Sequence, residues 1–332
     1  MQMLTAGRVP SASDWLLIDV GNTFLKWGRY AAIRRLGHDE TSFDSTKKSN
    51  TNTNTNTNTN TNTNTNTNTN TNTNTNTNTI TDNTSVTSQV YRTALEHCIV
   101  QGRVLLAEIP ILAIDWRDQV RPAMIVISSV AGTRVRNPLL RALEVWSDAP
   151  SPRWISSLDE ECGVHNRYRN PGQLGSDRWA ALIGARALVG SQAALVVVCG
   201  TATTMDLLDN EGNFEGGSIM PGLGLMQRSL HERTAALPDA SGEYLQYPRQ
   251  TVDAIASGCL HAQAGAVERV FRQYKDEHPK LICVLSGGAA RMLSPRLEIA
   301  HRLVDNLVLE GLFHIARQMS SKQTMANSNA RG

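Results

Sequence analysis

The stretch "LLIDVGNTFLKWGRY", residues 16–30, decides the reading of the fold. "WLLIDV" (15–20) is a short apolar run bounded by polar residues, and it predicts a buried strand. Gly21-Asn22-Thr23 separates it from a second run, "FLKWGRY" (24–30), so an antiparallel hairpin is expected. The hairpin carries an unusual set of groups at its tip: a carboxylate (Asp19), a glycine, an amide, a hydroxyl and a lysine (Lys26). Glycine lets a ligand approach the backbone closely, and the free N–H groups of such a turn can cradle phosphate oxygens.

Two further turns share this layout. "VVCGTATT" (197–204) and "VLSGGAA" (284–290) each follow an apolar run with Gly plus Thr or Ser. One such turn is ordinarily only a turn. Three in one chain, the first two each followed closely by another apolar strand, point to two similar lobes closing on a nucleotide. The rest of the chain alternates in the same manner. "AMIVISSVAG" (123–132) reads as a strand and "RNPLLRALEVW" (136–146) as a helix. "SDRWAALIGARALV" (176–189) has Trp179, Leu182, Ile183 and Leu188 at helical spacing, with Ser176 as its N-cap. Residues 251–274 form a long helix rich in small residues, able to pack closely on a partner or on its own lobe. A helix is also expected near 89–100. Strands ending in glycine turns among helices make an α/β fold.

Fourteen Thr-Asn repeats occupy residues 51–78 of the 332. They bear no charge and no apolar side chain, so they cannot bury enough surface to offset chain entropy. With their polar flanks they are read as a flexible insertion over 44–88. The formal charge is +2, without a basic stripe, which gives no reason to expect nucleic acid as a partner. Five scattered cysteines without a CxxC pair suggest reduced thiols, and the opening "MQMLTAGRVPSASD" lacks the apolar core of a signal peptide. No apolar run approaches the roughly 18 residues needed to span a bilayer. A cytoplasmic protein without membrane association is expected. His165, His231 and His261 lack ligand spacing, and no GxxxxGK[ST] is present, which excludes a P-loop kinase.

Taken in order, "DVGNTFLKWG" (19–28), "SSVAG" (128–132), "NRYRNPGQLGSDRW" (166–179), "CGTATTMD" (199–206), "GGSIMPGLGLMQRSL" (216–230), "ERTAALP" (232–238), "SGGAA" (286–290) and "LVLEGL" (307–312) resemble the type III pantothenate kinases. These belong to the superfamily of acetate kinase, sugar kinases and actin. The resemblance implies two lobes of actin-like or ribonuclease H-like type, each a mixed sheet flanked by helices, with a nucleotide cleft between them. It implies ATP-dependent phosphorylation of the primary hydroxyl of pantothenate, the first committed step toward coenzyme A, with Mg²⁺, by a homodimer. The lobes are expected at 14–190 and 191–321, with a flexible tail at 322–332.

Residue roles follow from the same resemblance. Asp19, Val20, Gly21, Asn22, Thr23, Phe24, Leu25 and Lys26 would form the first phosphate loop, with Asp19 near a phosphate-bound Mg²⁺ and Lys26 neutralising the transferred group. Thr201 would contact the nucleotide, and "SGGAA" would face the adenosine, a packing turn being the alternative. Asp177 would be the catalytic base; without the full motif it reads rather as an acidic residue favoured by a helix dipole. Gly175, Ser176, Asp177, Arg178, Tyr168 and Thr234 would bind pantothenate, with Arg178 toward its carboxylate or toward the transition-state oxygens. Asp206 has no evident role. The family's second loop often reads Asp-x-Gly-Thr, and that aspartate binds K⁺ or NH4⁺; here Val198 stands in its place, so weak or absent dependence on a monovalent cation is expected. Two other classes of protein share features of this pattern. A ribonuclease H-type nuclease needs three or four converging carboxylates, and only Asp19 and Asp206 are well placed. A transcriptional accessory factor of the same fold would be a binding protein without catalysis.

Overall fold

The computed structural model describes residues 3–4, 9–32, 94–234, 237–238 and 242–329. The described part forms one compact unit; residues 34–90, and with them the Thr-Asn insertion expected at 44–88, lie outside it.

The strands are β1 (Met3–Leu4), β2 (Trp15–Val20), β3 (Phe24–Tyr30), β4 (Cys98–Leu105), β5 (Met124–Ser129), β6 (Arg153–Trp154), β7 (Glu160–Glu161), β8 (Val164–Asn166), β9 (Ala194–Cys199), β10 (Ala202–Leu208), β11 (Asn213–Pro221), β12 (Ile282–Ser286) and β13 (His301–Val304). The helices are α1 (Leu112–Trp116), α2 (Thr133–Leu143), α3 (Ser176–Val189), α4 (Leu223–Arg233), α5 (Thr251–Lys275), α6 (Ala290–Leu293) and α7 (Leu307–Asn329).

Among the described residues two sheets form, ordered β1-β4-β3-β2-β5-β6 and β13-β12-β9-β10-β11-β8-β7. They repeat one plan. β2 pairs antiparallel with β3 and parallel with β5, and β9 pairs antiparallel with β10 and parallel with β12. The outer strands match too: β4 is antiparallel to β3 as β11 is to β10, and β6 and β13 extend the parallel edges. The expected doubling of strand–glycine turn–strand is therefore a doubling of the whole sheet plan.

Side-chain alternation along each strand sorts the core into layers. On β2, Leu16, Ile18 and Val20 face outward onto α1 and α2, while Trp15 and Leu17 face α3 and α7. On β9, Leu195, Val197 and Cys199 face α5, while Ala194 and Val196 meet the same α3 and α7. Those two helices thus lie between the sheets, and each sheet carries further helices on its outer face. Because the period is two, Asp19, Val198 and Asp206 fall on inner faces.

Several expectations change. The described part of the segment expected as a helix near 89–100 is a 3₁₀ turn (Ala94–His97) and the start of β4. Its run Cys98-Ile99-Val100 is buried against β3, and pairing with that exposed edge prevails over local helical preference. The sheets do not divide at residue 190, because β7 and β8 pair onto β11 of the second sheet. The segment expected as a tail from 322 continues α7 to Asn329. No helix among the described residues is long and apolar enough to cross a membrane.

Candidate functional site

The tips of the two equivalent hairpins face each other. Gly21 N–H closes the first tip on Phe24 O at 3.0 Å, and Gly200 N–H closes the second on Ala202 O at 2.9 Å. The hydroxyls of Thr23 and Thr201 meet between them at 3.0 Å. Around these tips lies a cleft of about 380 Å³, to which Asp19, Lys26, Asp177, Arg178, Thr201 and Gly287 all contribute. The "SGGAA" turn is held tightly to the second hairpin: Gly287 has φ +101, and a Cβ there would strike the backbone of Cys199. Glycine is therefore required at this position.

Asp19 pairs across the hairpin with Lys26 and is 8% exposed. Burial pushes its carboxyl up to about 6; the Lys26 charge pulls it down and Asp177 pushes it up again. Asp177 occupies the second position of α3, where the helix begins at Ser176. Burial raises its carboxyl, and the Arg178 backbone N–H, 2.8 Å from Oδ1, opposes that shift. Gly175 makes room for it, since a Cβ there would lie 2.7 Å from Asp177 Oδ1.

Ser176 does not cap α3 through its side chain; Gly175 holds the cap position. The Ser176 hydroxyl instead bonds Ser128 Oγ at 3.0 Å and the Ser129 N–H at 3.2 Å, fastening the start of α3 to the end of β5. Arg178 is turned toward Asp206. Its Nε donates to Asp206 Oδ2 at 3.1 Å, Nη2 bonds Oδ1, and Nη1 donates to the Tyr168 hydroxyl at 3.1 Å. Burial would lower the guanidinium, but Asp206 more than compensates and keeps it cationic; burial raises Asp206 against the pull of Arg178. Tyr168 therefore reaches the site through Arg178, its ring 5.0 Å from that of Phe214.

Thr234 is not brought to the cleft. It stands exposed at the end of α4, its hydroxyl on Leu230 O at 2.7 Å. Val198 does line the cleft, and it is the counterpart of Asp19: each precedes the glycine of its hairpin by two residues, at the end of equivalent strands. A hydrocarbon stands where the first lobe has a carboxylate.

Two cations in the cleft were missed in the sequence. Arg103 lies on β4 opposite Lys26, its guanidinium 4.5 Å over the Phe24 ring. The sequence reading assigned no element to 101–105, and only the pairing of β4 with β3 brings Arg103 to the cleft. Arg228 enters from α4, one turn beyond Gly224. The signal was present in "PGLGLMQR", where a glycine-rich entry to a helix precedes an arginine.

A family model described as type III pantothenate kinase matches residues 58–273. The type III pantothenate kinase of Dechloromonas aromatica is 48% identical over 218 residues, covering 66% of this chain and 90% of that one. That of Aromatoleum aromaticum is 48% identical over 223 residues, covering 67% and 90%. That of Nitrosospira multiformis is 46% identical over 207 residues, covering 62% and 78%. With a family match that spans α3 and the second hairpin, and relatives of this identity covered over most of their length, the chain belongs to the type III pantothenate kinase family.

Proposed function

We propose that this chain transfers the γ-phosphoryl group of ATP to the primary hydroxyl of pantothenate, giving 4'-phosphopantothenate and ADP. The observation that carries the reading is the meeting of Asp177, Asp19 and Lys26 in one cleft with two facing glycine–hydroxyl turns. The residues fit a magnesium–nucleotide. A single carboxylate at a strand end, flanked by hydroxyls and cations, suits a hard ion that keeps phosphate oxygens and waters as its other ligands. Asp19 would hold that ion, which neutralises phosphate charge when bound. Lys26, Arg103, Thr23 and Thr201 would position the triphosphate. Asp177 would accept the proton of the attacking hydroxyl as the new P–O bond forms and the bond to the ADP oxygen breaks. In such a loose transfer, orientation matters more than basicity, and Gly175 and the Arg178 N–H fix that orientation. Incubating the purified protein with ATP, Mg²⁺ and pantothenate should yield the phosphorylated product; a protein that binds ATP but leaves pantothenate unchanged would reject the reading and favour a binding function.

The raised carboxyl of Asp19 gives a pH dependence. Its charge is present above its pKa of about 6 and lost below it. The kcat/KM for MgATP should therefore fall on the acid side of that value, by roughly tenfold per pH unit. Lys26 holds this carboxyl down, so Lys26→Met should move the acid limb to higher pH. A limb that stays where it was would remove Asp19 from the rate profile.

The side chain at 198 offers no oxygen, and a hard monovalent ion does not take a hydrocarbon as a ligand. Kinase activity is therefore expected to be similar in sodium, potassium and ammonium buffers at matched ionic strength. Activity that is negligible in sodium and rises steeply with potassium would show that backbone oxygens rebuild such a site. The assembly is proposed to be a homodimer. Its support is the resemblance together with the exposed apolar side chains of Ile219 on β11 and Leu230 on α4. A monomer in sedimentation velocity at micromolar concentration would contradict it. The proposed location is the cytoplasm, which cell fractionation would check.

A further inference from the structure

Asp206 is 1% exposed, carries a carboxylate, and takes no direct part in the transfer described above. Burying such a group is unfavourable unless it is paired and hydrogen-bonded. Both of its oxygens engage Arg178, Oδ2 accepting from Nε at 3.1 Å and Oδ1 from Nη2. The fork-to-fork geometry fixes the plane of the guanidinium as well as its charge.

The surroundings are built for this pair. Asp206 sits opposite Gly217 in the β10–β11 ladder. A Cβ at 217 would strike Asp206 Oδ1 and lie 2.9 Å from Arg178 Nη2, so the pair occupies the space that a side chain on β11 would fill. The guanidinium carbon lies 5.6 Å from the Tyr168 ring centroid and 5.7 Å from that of Phe214. Tyr168 OH takes a third N–H at 3.1 Å. Of the five N–H groups of an arginine, two then remain for an anion. Arg178 borders the cleft beside Asp177, and its own backbone N–H holds the Asp177 carboxylate.

We propose that Asp206 is a positioning residue for the phosphoryl acceptor: from the second sheet it fixes the Arg178 guanidinium so that its free N–H edge receives the acceptor's carboxylate while the acceptor's hydroxyl lies at Asp177. This rests on the reading of pantothenate as acceptor. Stability alone gives a poorer account of the pair, because an apolar pair of similar volume is often as stable as a buried ion pair. What an apolar pair cannot do is aim a guanidinium. Asp206 lies on β10, the return strand of the hairpin that bears Thr201, whereas Arg178 lies on α3. The contact thus ties the acceptor side of the site to the lobe that carries the second phosphate turn.

The test is Asp206→Asn, which keeps the shape and removes the charge. KM is measured for pantothenate and for ATP, together with the Ki of the neutral alcohol analogue of pantothenate as a competitor. The expected result is a rise of about tenfold or more in the KM for pantothenate, the scale of a lost charge-assisted contact. The KM for ATP and the Ki of the neutral analogue should stay within about twofold, since neither uses the carboxylate-binding edge. An unchanged pantothenate KM, or an equal loss for all three, overturns the proposal. Wild-type protein that fails to phosphorylate pantothenate would sink the functional reading instead, so the two failures are distinct. Should Asp206→Asn not fold, Tyr168→Phe removes only the third contact. A rise of about threefold confined to pantothenate supports the same role, and no rise or an equal rise for ATP overturns it.

Discussion

Asp177→Asn is expected to lower kcat by about 100-fold or more while KM for ATP changes little, because the variant loses the proposed proton acceptor and nothing else of comparable weight. The substitution is close to isosteric. Asparagine retains an oxygen to accept the Arg178 N–H that now lies 2.8 Å from Oδ1, and the space left by Gly175 still suffices. Asp19, Lys26 and the two glycine turns are untouched, so the nucleotide should bind as before. Stability should move in the opposite direction to activity. The carboxyl of Asp177 is raised in the folded protein, chiefly by burial. An acid whose folded pKa exceeds its unfolded value of about 3.9 disfavours folding once the pH is above that value, and has no such effect below it. At neutral pH the asparagine variant should therefore melt at or above the wild-type temperature, and the difference should vanish in strong acid. Near-normal turnover in a purified, folded variant would remove Asp177 from the mechanism. A lower melting temperature at neutral pH would show that the charge is better satisfied than its burial implies.

The parts of the site that could be read in the sequence are those built by local chemistry. Asp19 through Lys26 is one hairpin, and its tip residues are neighbours in the chain. Asp177 lies at the start of a helix whose periodicity was plain, and Trp179, Leu182, Ile183 and Leu188 are all buried as that spacing requires. The doubling of strand, glycine turn and strand also followed from short-range pattern. What escaped depends on pairings across long separations. Arg103 reaches the cleft only because β4 adds to β3 from beyond the insertion, 79 positions later than Phe24 in sequence. Arg178 was read as an open anion binder because nothing in "GSDRW" reveals that Asp206 will meet it from another sheet. Ser176 looked like a cap by its place before an apolar helix, yet the nearness of β5 gives its hydroxyl better partners. β7 and β8 are two and three residues long, too short for any periodic signal, and so they crossed the expected lobe boundary unnoticed.

The second large effect concerns glycines that carry no chemistry at all. α3 and α7 cross between the sheets with Gly184 and Gly311 at their contact. A Cβ on Gly184 would lie 2.6 Å from Leu307 O and 3.0 Å from Gly311 N; one on Gly311 would overlap Ala180 O. Those are backbone atoms of a neighbouring helix, which cannot rotate away as a side chain can. Gly311→Ala should therefore destabilise the protein by about 3 kcal/mol, at the upper end of overpacking effects, even though alanine is the better helix former by about 1 kcal/mol. Gly258 supplies the contrast. It lies within α5, and a Cβ there meets nothing within 4 Å. Gly258→Ala should then be neutral or stabilise by up to about 1 kcal/mol through helix propensity alone. Denaturant unfolding of the two variants beside the wild type separates local propensity from helix contact, and variants that shift together would show that α3 and α7 are not in backbone contact. The effect should also reach activity. α7 brings Leu307 and Val308 to the cleft, and α3 brings Asp177 from the opposite end of the same contact. Forcing the helices apart at Gly311, four residues from Leu307, would shift the wall of the cleft relative to Asp177. Gly311→Ala is accordingly expected to lower kcat as well as stability, while Gly258→Ala leaves kcat unchanged.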